Sequence, residues 1–130
     1  MTISQQPSFE LTVEHVPDAA VVRVDGELDY DTHAELVDAV TSLLTPPEAA
    51  PPRPALLRLD FTGLRHIDSS GLAALLLIRR RTDEKGVRLL LENRPVLLDR
   101  VLEMTGTLDH LVDPAQDAQD IGGQGRPGTG

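Results

Sequence analysis

The sequence predicts an α/β fold: a mixed β-sheet that starts as an N-terminal antiparallel hairpin, continues in parallel strands and packs with about three main helices. Three observations predict it. Apolar and polar residues alternate over residues 9–13 and again over 20–28, the period of a half-buried strand. Beyond Leu28, stretches with helical spacing take turns with short strand-like runs. A short polar turn, Asp68-Ser69-Ser70-Gly71, then joins the end of one strand-like run to a long apolar run.

In the first strand Phe9, Leu11 and Val13 alternate with Glu10, Thr12 and Glu14. Pro17-Asp18 is a turn signal. In the second strand Val22, Val24, Gly26 and Leu28 share a face. The connection is too short for a crossover, so the two strands pair antiparallel. Thr32 and Glu35 have the spacing of a capping box. Leu36, Val40, Leu43 and Leu44 follow at helical intervals and predict a helix over 32–44. That helix carries the chain back over the sheet, so the next strand runs parallel to the second. Residues 45–54 hold Pro46, Pro47, Pro51, Pro52 and Pro54 and read as a stiff loop, because proline suits neither helix nor interior strand.

Residues 55–61 form a third strand, apolar except at Arg58 and Asp60, and are expected to be covered on both faces. The next helix runs from the polar turn to about Lys85, apolar at its start and charged at its end, with Gly86 as its stop. Its Arg79, Arg80 and Arg81 point in three directions and make no single anion patch. Residues 87–92 are a fourth strand. Asn93 is expected to cap a third helix, with Pro95 in its first turn and Leu97, Leu98, Val101 and Leu102 as its apolar stripe. Gly106 ends it, and 108–112 read as a short last strand. Residues 1–8 form a flexible N-terminus and 113–130 a disordered Gly/Pro-rich tail, leaving 9–112 as one domain.

Composition narrows the function. Only 2% of the 130 residues are aromatic, against 40% hydrophobic overall, so the core is aliphatic and offers no stacking platform for bases. A net charge of -9 repels a phosphate backbone, so no nucleic-acid partner is expected. No run is apolar for long enough to span a bilayer, so no membrane role is expected. The polar N-terminus lacks the regions of a signal peptide, so the cytoplasm is the expected location.

The chemistry gathers at the polar turn. A helix start leaves backbone N–H groups without partners, and short oxygen-bearing side chains such as Asp68 satisfy them. The same N–H groups and the helix dipole favour a phosphate, so Ser69 is either a cap or a phosphoryl acceptor, with Ser70 its rival. Asp29 also follows the C-terminal end of a strand, the edge where sites collect in open α/β sheets, so it is expected near Ser69. Enzyme chemistry finds little support. His15, His33, His66 and His110 lack ligand spacing, and no metal or cofactor is expected. The Gly-x-Ser-x-Gly elbow and the Gly-Lys-Ser/Thr ending of a phosphate loop are both missing.

Three stretches resemble the STAS domain, and within it the bacterial anti-sigma factor antagonists: Gly26-Glu27-Leu28-Asp29, Asp68-Ser69-Ser70-Gly71-Leu72, and the run from Pro95 to Gly106-Thr107-Leu108. The resemblance implies a STAS-like fold and a non-enzymatic protein that binds an anti-sigma factor, itself a serine kinase, and so frees a sigma factor. It implies that the kinase phosphorylates Ser69 to end the interaction and that a serine phosphatase resets it. Asp29, Asp68, Ser69, Ser70, Gly71 and Leu72 would face the partner. The long proline-rich loop, Arg94 before Pro95 and the C-terminal tail depart from the family pattern. Two other readings stand beside this one: a phosphorylation-independent STAS scaffold or small-ligand sensor, and an α/β enzyme acting on phosphate esters.

Overall fold

The computed structural model describes residues 9–112; the expectations for 1–8 and 113–130 lie outside them. The elements follow the order β1 (Phe9–Val16), β2 (Ala19–Leu28), α1 (His33–Leu44), β3 (Leu56–Asp60), β4 (Leu64–Ile67), α2 (Ser69–Lys85), β5 (Arg88–Glu92), α3 (Val96–Met104) and α4 (Leu108–Leu111). β1 pairs antiparallel with β2, turning at Asp18, whose φ is 61°. β3 and β4 pair in parallel with β2, and β5 pairs in parallel with β3. The strand order is β1-β2-β3-β5, with β4 on β2.

β4 is an element the sequence reading lacks. β3 accompanies β2 from Ala19 to Arg23, and β4 takes over from Gly26 to Leu28. The register shifts between Gly26 and Glu27, where Gly26 has a φ of 101° and donates its N–H to the Gly63 carbonyl at 2.8 Å. This bulge in β2 lets a second short strand join the same edge. Four residues with Arg65 and His66 exposed between buried Leu64 and Ile67 show no period of two, which explains the omission.

One face of the sheet is core and the other is not. Ala20, Val22, Val24 and Leu28 of β2, Leu57 and Leu59 of β3, and Leu89 and Leu91 of β5 are buried in one cluster. The same cluster holds Leu36, Val40, Leu43 and Leu44 of α1, Leu72, Leu75 and Ile78 of α2, and Leu98 and Leu102 of α3. The opposite face carries charge: Arg58 meets Glu92 at 3.0 Å, and Arg23 reaches Glu14 at 3.3 Å and Asp60 at 3.7 Å. The expectation that β3 is covered on both faces is therefore wrong. Its polar positions Arg58 and Asp60 mark an open face, and Leu56 beside them is only half-buried. Such exposed pairs contribute roughly 0–1 kcal/mol each, whereas burying one Leu contributes about 1.5–3 kcal/mol, so the aliphatic face holds the fold.

Three local expectations are also corrected. The 108–112 stretch is helical: Leu108, Leu111 and Val112 have the i, i+3, i+4 spacing of one turn and put Leu111 and Val112 into the core. Asn93 does not cap α3. It sits at φ 55° and donates its Nδ2–H to Asp60 at 3.1 Å, and Pro95 occupies the cap position. The Thr32–Glu35 capping box does not form, because the Thr32 side chain makes no cap bond to α1. The other ends match their signals. Gly86 closes α2 at φ 69°, and Arg79, Arg80 and Arg81 go separately to Asp83, Glu84 and Thr41.

Candidate functional site

Because β2, β3, β4 and β5 run in parallel, the loops after them lie along one edge of the sheet. That edge carries the turn after β2, with Asp29 to Thr32, and the start of α2, with Asp68 to Ser70. β2 and β4 are neighbours up to the pair Leu28–Ile67, so the two loops leave the sheet side by side.

Asp68 is the joint between them. Its backbone N–H donates to the Leu28 carbonyl at 3.2 Å. Its Oδ1 accepts the N–H groups of Ser70 at 2.9 Å and Gly71 at 3.0 Å, the cap expected from sequence. Its Oδ2 accepts the N–H of Tyr30 at 3.2 Å. The Gly71 N–H lowers the carboxyl pKa most; burial opposes it, and the N–H groups of Tyr30 and Ser70 and the nearby His66 add to the lowering. The group therefore stays a carboxylate well into acid.

The turn after β2 is stiffened from within. The Thr32 hydroxyl accepts the Asp29 N–H at 2.9 Å and donates to the Glu27 carbonyl at 2.8 Å. Asp29 turns its Oδ1 onto the Asp31 N–H at 3.0 Å. The expected neighbourhood of Asp29 and Ser69 is thus a neighbourhood of loops, made through Tyr30 and Asp68. The Asp29 carboxylate folds into its own turn.

Ser69 is exposed, and its hydroxyl makes no hydrogen bond among the described residues. It is the first residue of α2, where free N–H groups and the dipole tolerate negative charge. Ser70 is half-buried beside it. Gly71 and Leu72 are buried, so they shape the site from beneath. A Cβ on Gly71 would run into the Leu28 carbonyl oxygen and stand 2.8 Å from Ile67 Cγ1. Only glycine lets α2 start this close to the end of β2.

Two residues of this edge have roles that the sequence does not predict. Thr32 has the spacing of a capping box, yet its hydroxyl braces the turn. The other is Tyr30, 75% exposed, for which a lone tyrosine between Asp29 and Asp31 is the available signal. No helix among the described residues is long and apolar enough to cross a membrane.

Comparison with known proteins agrees with this architecture. A family model described as "Mlab, STAS domain" matches residues 11–113. The fold is similar to the anti-sigma factor antagonist SpoIIAA in its unphosphorylated form, with a TM-score of 0.64 at 20% identity over 92% of this chain and 100% of that one. It is similar to an anti-sigma factor antagonist from Mycobacterium paratuberculosis, with a TM-score of 0.66 at 23% identity over 92% and 97%. It is also similar to a sulfate transporter family protein from Wolinella succinogenes, with a TM-score of 0.58 at 20% identity over 72% and 71%. No curated protein matches the sequence. At these identities the structural likeness is one of fold.

Proposed function

We propose that this chain, which belongs to the STAS domain family, is an anti-sigma factor antagonist: it docks an anti-sigma factor serine kinase on the edge bearing Tyr30 and Ser69 and is released when Ser69 is phosphorylated. One observation carries the reading. Ser69 is exposed at the mouth of α2 and its hydroxyl makes no hydrogen bond among the described residues, while the neighbouring Asp68 already takes the capping bonds. The serine is not needed as a cap, so it is free to be an acceptor.

The physical consequence is a switch on binding and not on folding. Phosphorylation adds about 1.5 to 2 negative charges. The helix start offsets part of that by roughly 0.3–1 kcal/mol. An interface shaped around a neutral hydroxyl has no such compensation, and an unmatched charge there costs several kcal/mol. A loss of about 4 kcal/mol weakens binding about a thousandfold. A serine phosphatase would restore the docking state, and sigma-factor-dependent transcription would follow the phosphorylation level.

The test is incubation with ATP and each candidate serine kinase of the source organism, followed by site-resolved mass spectrometry. Phosphate on Ser69, retained kinase with Ser69→Ala and lost kinase with Ser69→Asp support the reading. Phosphate on Ser70 moves the acceptor by one residue. The fold shared with a transporter-family protein favours a second reading, a phosphorylation-independent STAS scaffold. A partner that binds wild type and Ser69→Asp equally would establish that reading instead.

A further inference from the structure

The chain has three aromatic side chains of the Phe, Tyr and Trp kind, and two of them, Phe9 and Phe61, are buried. The third, Tyr30, is 75% exposed. An exposed aromatic ring in so aromatic-poor a chain has no role in the core. Its backbone, in contrast, is fixed: the Tyr30 N–H is held by Asp68 Oδ2 at 3.2 Å, and Thr32 braces the turn on its other side. The His33 ring stands 6.0 Å from the Tyr30 ring, centroid to centroid. A large ring on a stiff backbone loses little entropy on docking, and tyrosine is among the residues that dominate interface energies.

We infer that Tyr30 is the aromatic anchor of the partner interface, and that Asp68 positions it relative to Ser69 by sharing one carboxylate between the Tyr30 turn and the start of α2. The inference rests on the function proposed above and deepens it. The ring asks for an apolar pocket on the partner. The acidic residues Asp29 and Asp31 on either side of it in the sequence, on a chain of net charge -9, ask for a basic rim to that pocket. The anchor and the acceptor hydroxyl are then presented as one rigid unit, so a kinase that engages the ring brings its phosphate donor to a fixed place.

The carboxylate can be divided chemically. Asp68→Asn keeps one oxygen, which still accepts the N–H groups of Ser70 and Gly71. The other atom becomes an amide nitrogen, a donor facing the Tyr30 donor, so the tie to Tyr30 is lost while the cap survives. The experiment measures the dissociation constant, by calorimetry, of a recombinant anti-sigma factor kinase of the source organism for wild type, Tyr30→Ala, Asp68→Asn and the double variant. Tyr30→Ala should weaken binding about tenfold or more with an unchanged unfolding midpoint. Asp68→Asn should weaken wild type but add nothing once Tyr30 is alanine, because the positioned ring is already gone. A kinase that binds wild type and Tyr30→Ala alike sinks the anchor. Losses that multiply in the double variant sink the positioning role of Asp68. If no such kinase binds wild type, the proposed function itself fails and takes this inference with it.

Discussion

Gly71 sits so close to the Leu28 carbonyl oxygen that a methyl group on it would overlap that atom. The obstacle is backbone at the end of β2, in the same strand whose Leu28 carbonyl holds the Asp68 N–H. Alanine ordinarily gains up to about 1 kcal/mol over glycine in a helix. Here overpacking at about 1–3 kcal/mol outweighs that gain, because the nearest obstacle is backbone and the next, Ile67, is buried. Gly71→Ala is expected to lower stability by about 1–2 kcal/mol in urea denaturation. Gly63→Ala is the contrast: its close neighbour is the side chain of Asp25, half-exposed and able to rotate away, so the loss there should be smaller.

Ser69→Asp should leave the fold as it is. The residue is exposed and unbonded among the described residues, and the helix start favours the added charge. Repulsion from Asp68 works against that gain. The two effects nearly cancel, and the change in unfolding free energy should stay within about 0.5 kcal/mol. A urea midpoint that matches wild type, in a variant that no longer binds the kinase, would separate the switch from stability.

Asn93 makes a testable case of backbone strain. At φ 55° it occupies the left-handed region, where a side chain without a local hydrogen bond costs about 1 kcal/mol or more. Asn93 is compensated by its bond to Asp60 at 3.1 Å. Asn93→Ala loses both tolerance and bond and should destabilise by about 1–2 kcal/mol. Asn93→Gly loses the bond but relieves the backbone, so it should cost less than Ala. Thermal unfolding of the two variants in one buffer gives the order directly.

Much of this was legible along the chain, wherever the physical cause is local. The alternation of β2, the stripe of α1, the Gly86 stop and the Asp68 cap each depend on residues within a few positions of one another. β4 was hidden because its two middle residues are exposed, and α4 because Leu108, Leu111 and Val112 fit a single helical turn as well as a strand. Thr32 carried a correct helix-start signal but spends its hydroxyl on Glu27 and Asp29. The bond from Tyr30 to Asp68 spans 38 positions. Nothing in either segment announces it; it exists because a bulged β2 lets β4 run beside it.

The Asp68 carboxylate also sets an acid limit. Its pKa is lowered from 3.8 chiefly by the Gly71 N–H, against burial, with help from Tyr30, Ser70 and His66. A carboxyl held below its unfolded value stabilises the fold in full above that value. The contribution disappears as pH falls through the lower, folded value. Asp60 acts in the same direction: burial pushes its pKa up, but Thr62, Asn93 and Arg23 together hold it below 3.8. Stability should therefore be flat with respect to these two groups above about pH 5 and fall steadily below about pH 4. Asp68→Asn cannot titrate and should show a shallower fall, with the remaining slope carried by Asp60 and other carboxylates. Chemical denaturation repeated from about pH 6 down to about pH 2.5 measures both curves. Parallel curves for wild type and Asp68→Asn would mean that the backbone N–H groups around Asp68 hold its protonated and ionised forms equally well, which the three short bonds to that carboxylate argue against.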